Sequence, residues 1–135
     1  METIKVKIEW SGDNFVAATG EVNGLIIVTH KNPEKLKKEF EDAFRFHIEG
    51  SLKDGDELPE YIKSGNYVFD YEMQVSAILK ELDGIVTRKA ISRVTDINEK
   101  QLGHYLQGKK KARPETRKRL VEGLEKINKE ILSVV

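Results

Sequence analysis

Val94-Thr95-Asp96-Ile97-Asn98-Glu99-Lys100-Gln101 is the stretch on which the reading of this 135-residue chain turns. Its first five residues spell a tight turn, and the Asn98 side-chain oxygen can cap a new helix. Gln101, three residues on, can reach back to the cap's own amide as in a capping box. The spacing predicts a short helix over 99–107, polar on one side and stopped by Gly108. Lys109, Lys110, Lys111 and Arg113 follow at once. A short capped helix with a cationic tail suits a major groove with phosphates along its rim. Sequence-specific binding of duplex DNA is therefore the expected task of this half.

Working outward, the apolar period is helical on both sides of that turn. Val75, Ile78, Leu79 and Leu82 make one stripe, closed by Asp83-Gly84. A second helix is predicted over 87–94, with Ala90, Ile91 and Val94 inward, while Leu102 and Leu106 carry the next helix into the same core. Beyond Pro114, Leu120, Leu124, Ile127 and Ile131 recur at helical spacing, and the helix ends in Leu132, Val134 and Val135. So much apolar surface on one terminal helix predicts a homodimer or a dimer of dimers.

The first half has a different period. Ile4, Val6, Ile8 and Trp10 alternate with Lys5, Lys7 and Glu9, as in a half-buried strand. Ser11-Gly12-Asp13-Asn14 reads as a hairpin turn before a second strand over 15–19. The continuous apolar run of 25–29 predicts a third, central strand. Asn32-Pro33-Glu34 is a strong helix start, combining a cap, a proline at the first position and an acid in the first turn. Leu36, Phe40, Ala43, Phe44 and His47 share one face of that helix, which Gly50 is expected to end. Residues 51–65 read as an acidic loop pinned by Leu58, Tyr61 and Ile62, and 67–71 as a fourth strand. The expectation is an α+β chain: a small antiparallel β-β-β-α-β domain over 1–72 and an all-α domain over 73–135.

Composition agrees with two domains of different task. Net charge is zero, yet residues 1–72 carry 9 Lys/Arg against 15 Asp/Glu, −6, and residues 73–135 carry 14 against 8, +6. An anionic polymer suits the second half and a basic partner the first. Cysteine is absent, so neither a disulfide nor a thiolate zinc site staples the fold. The longest apolar run, 25–28, is too short to span a bilayer, and the charged alternation of 1–10 is unlike a signal peptide. The sequence therefore reads as a soluble cytoplasmic protein with no membrane partner.

Candidate contacts follow from the outward positions of the capped helix. Lys100, Gln101, His104 and Tyr105 are the expected base readers, since Gln addresses adenine and Lys the acceptors of guanine. Arg88, Lys89, Lys109, Lys110, Lys111 and Arg113 are candidates for phosphates, and Asn98 for the cap. His30, His47 and His104 lack metal-ligand spacing. Asp54, Asp56, Glu57 and Glu60 lack the alternation and terminal glutamate of a calcium loop. No Ser/His/Asp order and no glycine-rich phosphate loop stands out, so neither a catalyst nor a cofactor is expected.

The first half resembles the partial RNase H fold of HicB-family antitoxins. The resemblance rests on Asn14-Phe15-Val16-Ala17, on Gly24, and on 29–36 with Ala43-Phe44 and Gly50. The second half resembles the phage-repressor-type helix-turn-helix that many of them append, through 97–105 and Gly108-Lys109-Lys110-Lys111. Where the family often has an Asp-Leu-Pro-Gly corner this chain has Glu21-Val22-Asn23-Gly24, and where the turn usually has glycine it has Asp96, which tolerates the left-handed conformation. The acidic set that RNase H nucleases use for two-metal chemistry is missing: strand one offers Lys5, Lys7 and Glu9 on one face. The resemblance implies an antitoxin that binds a small basic HicA-type mRNA-cleaving toxin through its N-terminal domain and its own operator DNA through the C-terminal one. Charge suggests Asp54, Asp56, Glu57 and Glu60 as the toxin-facing rim. The alternative readings are a stand-alone repressor with an N-terminal ligand sensor and a small nucleic-acid-cleaving enzyme.

Overall fold

The computed structural model describes residues 1–20 and 24–135. It is an α+β chain that divides into two compact units, Met1–Glu9 with Asp13–Met73 and Trp10–Gly12 with Gln74–Val135. Among the described residues there are four strands and six helices. The Glu21-Val22-Asn23 corner lies outside the described residues.

In the first unit the strands β1 (Glu2–Trp10), β2 (Phe15–Thr19), β3 (Ile26–His30) and β4 (Tyr67–Met73) form one sheet in the order β3-β2-β1-β4. The alternation in β1 does what its period predicts: Ile4, Val6 and Ile8 are fully buried on one face while Lys5 and Lys7 stay exposed. The helix α1 (Pro33–Lys53) covers that face with Leu36, Phe40, Phe44 and Ile48. Its start follows the expected chemistry, since the Asn32 side chain accepts from the backbone N–H groups of Glu34 at 2.9 Å and Lys35 at 3.0 Å. Phe69 of β4 meets Phe40 and Phe44 edge-on, with ring centroids 5.8 Å and 5.1 Å apart, a geometry that aromatic quadrupoles favour.

Four expectations for this unit are corrected. The sheet is mixed: β4 pairs parallel with β1, Ile4 opposite Phe69 and Val6 opposite Tyr71. The long segment 31–66, with α1 in it, supplies the crossover that parallel pairing needs, and side-chain alternation carries no signal of strand direction. The apolar strand β3 is terminal rather than central. Ile26 points into the core, whereas Leu25 is 65% and Ile27 55% exposed, so its unbroken apolar run does not mean burial on both faces. Gly50 does not end α1, which continues to Lys53 under an Asp54 cap; the left-handed turn comes at Gly55, φ +75°. The loop of 51–65 contains a one-turn helix α2 (Glu60–Lys63), and Leu58 and Ile62 pin it by burial as expected.

The second unit contains α3 (Val75–Leu82), α4 (Arg88–Thr95), α5 (Glu99–Leu106) and α6 (Pro114–Ser133). Val75, Leu79, Ile91, Ile97, Leu102, Tyr105 and Leu120 form its core, flanked by Leu124 and Ile127. The residues α4 and α6 share pack closely because Gly123 has no side chain: a Cβ there would overlap the Thr95 methyl and stand 3.2 Å from a methyl of Val94. No described helix is long and apolar enough to cross a membrane.

Candidate nucleic-acid interface

The path from α4 to α5 is built by three devices. Asp96 takes the left-handed conformation, φ 60° and ψ 24°, the one non-glycine residue with positive φ among those described. Thr95, buried beside it, donates its hydroxyl to the Ile91 carbonyl at 2.7 Å and accepts from the Ile97 N–H at 3.3 Å. Arg119 reaches across from α6 and donates from Nη2 to the Thr95 carbonyl at 2.7 Å. A left-handed residue, a locked hydroxyl and a guanidinium brace thus fix the direction in which α5 departs.

The helix α5 is capped as its sequence implies, Asn98 Oδ1 accepting from the Gln101 N–H at 2.7 Å. The reciprocal half of the capping box takes another form, because Gln101 Nε2 donates to the Tyr105 hydroxyl at 2.6 Å. At the other end Gly108, φ +74°, closes the helix with Lys109 N–H on the His104 carbonyl at 3.0 Å and Gly108 N–H on Tyr105 at 3.1 Å. That pair of bonds is a Schellman closure, and it turns the lysines out of the helix line.

Lys100 and His104 stand at i and i+4 on α5 and Gln107, its C-cap, at i+7; Lys100 and Gln107 are exposed and His104 half-buried. Tyr105 departs from the expectation of a base reader. It is 3% exposed and belongs to the core, since it follows Leu102 at i+3 on the inward face. Gln101 sits half-buried at the margin of the outward stripe, its amide already engaged by that tyrosine. Lys89, Lys109, Lys110, Lys111 and Arg113 are exposed. Arg88, also exposed, lies over Gly103, its Nη1 2.7 Å from where a Cβ would stand. Residues 99–113 carry five Lys/Arg against a single Glu, so the surface offered by α5 and its tail is strongly cationic. The arrangement provides hydrogen-bond donors along one helix face and point charges beyond its end, groups of the chemistry that base edges and phosphates accept.

Two residues of this site escape sequence reasoning. Arg119 is one cation among several in 117–119, and nothing local distinguishes a brace from a solvated charge. Gly123 carries the close approach of α4 and α6, and a lone glycine within a helical pattern signals only a packing or functional reason of unstated kind. Arg117, one turn beyond Arg113, extends the cationic set along α6.

Of the acidic candidates in the first unit, Asp54 and Asp56 meet on the wall of an open cleft of ≈ 510 Å³, lined also by Leu25, Ile27, Phe46 and His47. Glu57 and Glu60 are exposed but do not line it. At the other edge of the sheet Glu41 of α1 accepts a hydrogen bond from the Tyr71 hydroxyl of β4; burial first, and then that carboxylate, push the phenol well above its usual range. No group of three His, Cys, Asp or Glu side chains among the described residues is placed to hold a metal ion. No family model, no curated protein and no solved structure matches this chain.

Proposed function

We propose that this chain is an antitoxin of the HicB type: its second unit is a helix-turn-helix that binds operator DNA, and its first, a partial RNase H-like domain, holds a small basic mRNA-cleaving toxin in the cytoplasm. The observation that carries the DNA half of this reading is the braced turn at Thr95-Asp96, which presents a short capped helix with Lys100, His104 and Gln107 outward and a cationic tail behind. The +6 charge of residues 73–135 supports it, because each phosphate neutralised releases condensed counterions. The −6 charge of residues 1–72 supports a basic protein partner for the sheet domain, through steering of the encounter. Ile131, Leu132, Val134 and Val135 are exposed at the end of α6 and support pairing of two copies, which places two reading helices on half-sites about one helical turn apart.

Two measurements test the reading. Selection of bound duplexes from a random pool should enrich one sequence, and Lys110→Ala should weaken all duplexes and lower the salt slope by roughly one unit. Where a neighbouring gene encodes a short basic protein that is toxic, co-expression of this chain should rescue growth, and so should residues 1–72 alone. A chain that binds no duplex above background, or that leaves the neighbouring protein toxic, contradicts the corresponding half.

A further inference from the structure

The cleft beside β3 is assembled from three independent features. First, β3 ends the sheet, so alternate backbone N–H and C=O groups along its outer side have no strand partner among the described residues. Second, that edge carries few of the devices that blunt an edge strand: Ile26-Ile27-Val28-Thr29-His30 holds no lysine, no proline and no carboxylate. Third, the side chains flanking it are apolar and open to solvent, with Leu25 and Ile27 joined by Phe46 of α1, which is 78% exposed. These three exposed apolar side chains line the same cleft and offer contacts to an incoming chain.

Charge selects the occupant. The cleft is bounded by Asp54 and Asp56 and belongs to a domain of net −6. Two copies of this chain meeting edge to edge would bring like carboxylates and two acidic domains together, which disfavours self-pairing. An extended segment with alternating cationic and apolar side chains meets all three features at once. Its backbone completes the ladder, its apolar residues cover Ile27 on the open face, and its cations, on the α1 side, reach Asp54 and Asp56 and lie over Phe46. In strand addition the main chain supplies affinity and the side-chain pockets supply selectivity.

We propose that the outer edge of β3, with Leu25, Ile27, Phe46, Asp54 and Asp56, is a strand-addition site for a basic, extended segment of a partner protein. Under the function proposed above, on which this identification of the partner rests, the segment belongs to the toxin.

The test uses the full-length chain, labelled with ¹⁵N, and two blocked heptapeptides: one alternating arginine with valine, the other glutamate with valine. The arginine peptide should shift backbone amides within 26–30 and 46–56 and slow exchange of alternate amides of β3, while the glutamate peptide leaves them unmoved. Asp54→Asn with Asp56→Asn should weaken the arginine peptide about fivefold, the order expected of two solvent-facing charge pairs. Ile27→Lys should abolish binding while leaving the amide spectrum of β1, β4 and α1 and the urea midpoint of the first unit unchanged, which shows that the sheet domain of the variant is folded. Shifts confined to other surfaces, equal binding of both peptides, or slow β3 exchange in the peptide-free chain from self-pairing would overturn the assignment. Growth rescue separates the two proposals. Rescue that survives Ile27→Lys removes the cleft and keeps the antitoxin reading. Peptide binding at β3 without any rescue keeps the cleft and removes that reading.

Discussion

Gly123→Ala sets helix propensity against packing, and the two predict opposite signs. Alanine in place of glycine inside a helix is worth about 1 kcal/mol in favour of the variant. The new Cβ, however, overlaps the Thr95 methyl and crowds Val94 at 3.2 Å. Thr95 cannot swing aside freely, because its hydroxyl is held between the Ile91 carbonyl at 2.7 Å and the Ile97 N–H at 3.3 Å. Rotation would leave a buried hydroxyl unpaired, at about 1–3 kcal/mol. Separating α4 from α6 instead amounts to overpacking, at about 1–3 kcal/mol, and strains the Arg119 bond to the Thr95 carbonyl. Packing outweighs propensity over most of that range, and the second unit should lose up to about 2 kcal/mol net. For a domain of this size that lowers Tm by about 4–8 °C per kcal/mol. Thermal melts and urea titrations of the two chains read the difference. Gly103→Ala is the control: the group in its way is the exposed, flexible end of Arg88, so the variant should be as stable as the parent or up to about 1 kcal/mol more so. A Gly123→Ala chain as stable as the Gly103→Ala chain would refute the close α4–α6 approach.

Arg119→Met should cost about 1 kcal/mol and weaken operator binding without changing its salt slope, because Arg119 positions the turn rather than touching phosphate. A slope lowered as for Lys110→Ala would make it a phosphate contact instead. Tyr71→Phe tests the sheet domain at alkaline pH. The folded chain holds the phenol proton more tightly than the unfolded one, so its stabilisation is complete below the ordinary tyrosine value of 10.0 and is lost as pH rises above it. Urea midpoints should therefore fall less steeply with pH above about 10 in the variant than in the parent. Gln101→Ala should destabilise the second unit by about 1 kcal/mol through loss of the bond to the Tyr105 hydroxyl, measured by urea titration away from DNA.

Local chemistry was legible wherever one residue decides. Asn32 and Asn98 cap their helices, and Asp96 takes the left-handed turn, because short polar side chains at those positions have one good way to satisfy the backbone. The buried alternation of β1 was equally plain. Strand order was not, since β3 looks central by composition and becomes terminal only through the parallel pairing of β4 with β1 across α1. Helix ends were misjudged where glycine was taken as a stop: Gly50 continues α1, and the chain reverses hand five residues later at Gly55. In the candidate interface the exposed cations were readable, but the facing of Tyr105 was not. A helix of eight residues leaves the phase of its apolar stripe open to an error of one position, and that error exchanges a reader for a core residue. Arg119 and Gly123 act across elements distant in sequence, so no local pattern announces them.

Base reading by α5 and phosphate contact by its tail, as proposed above, are tested by comparing affinities on two duplexes. Binding of the parent chain and of Lys100→Ala/His104→Ala is measured by anisotropy, at one salt concentration, on the duplex enriched from a random pool and on an unrelated duplex. The double variant should lose about tenfold or more on the enriched duplex, as for about 1–3 kcal/mol per base contact, and little on the unrelated one. Equal losses on both duplexes, or no loss on the enriched one, would contradict it.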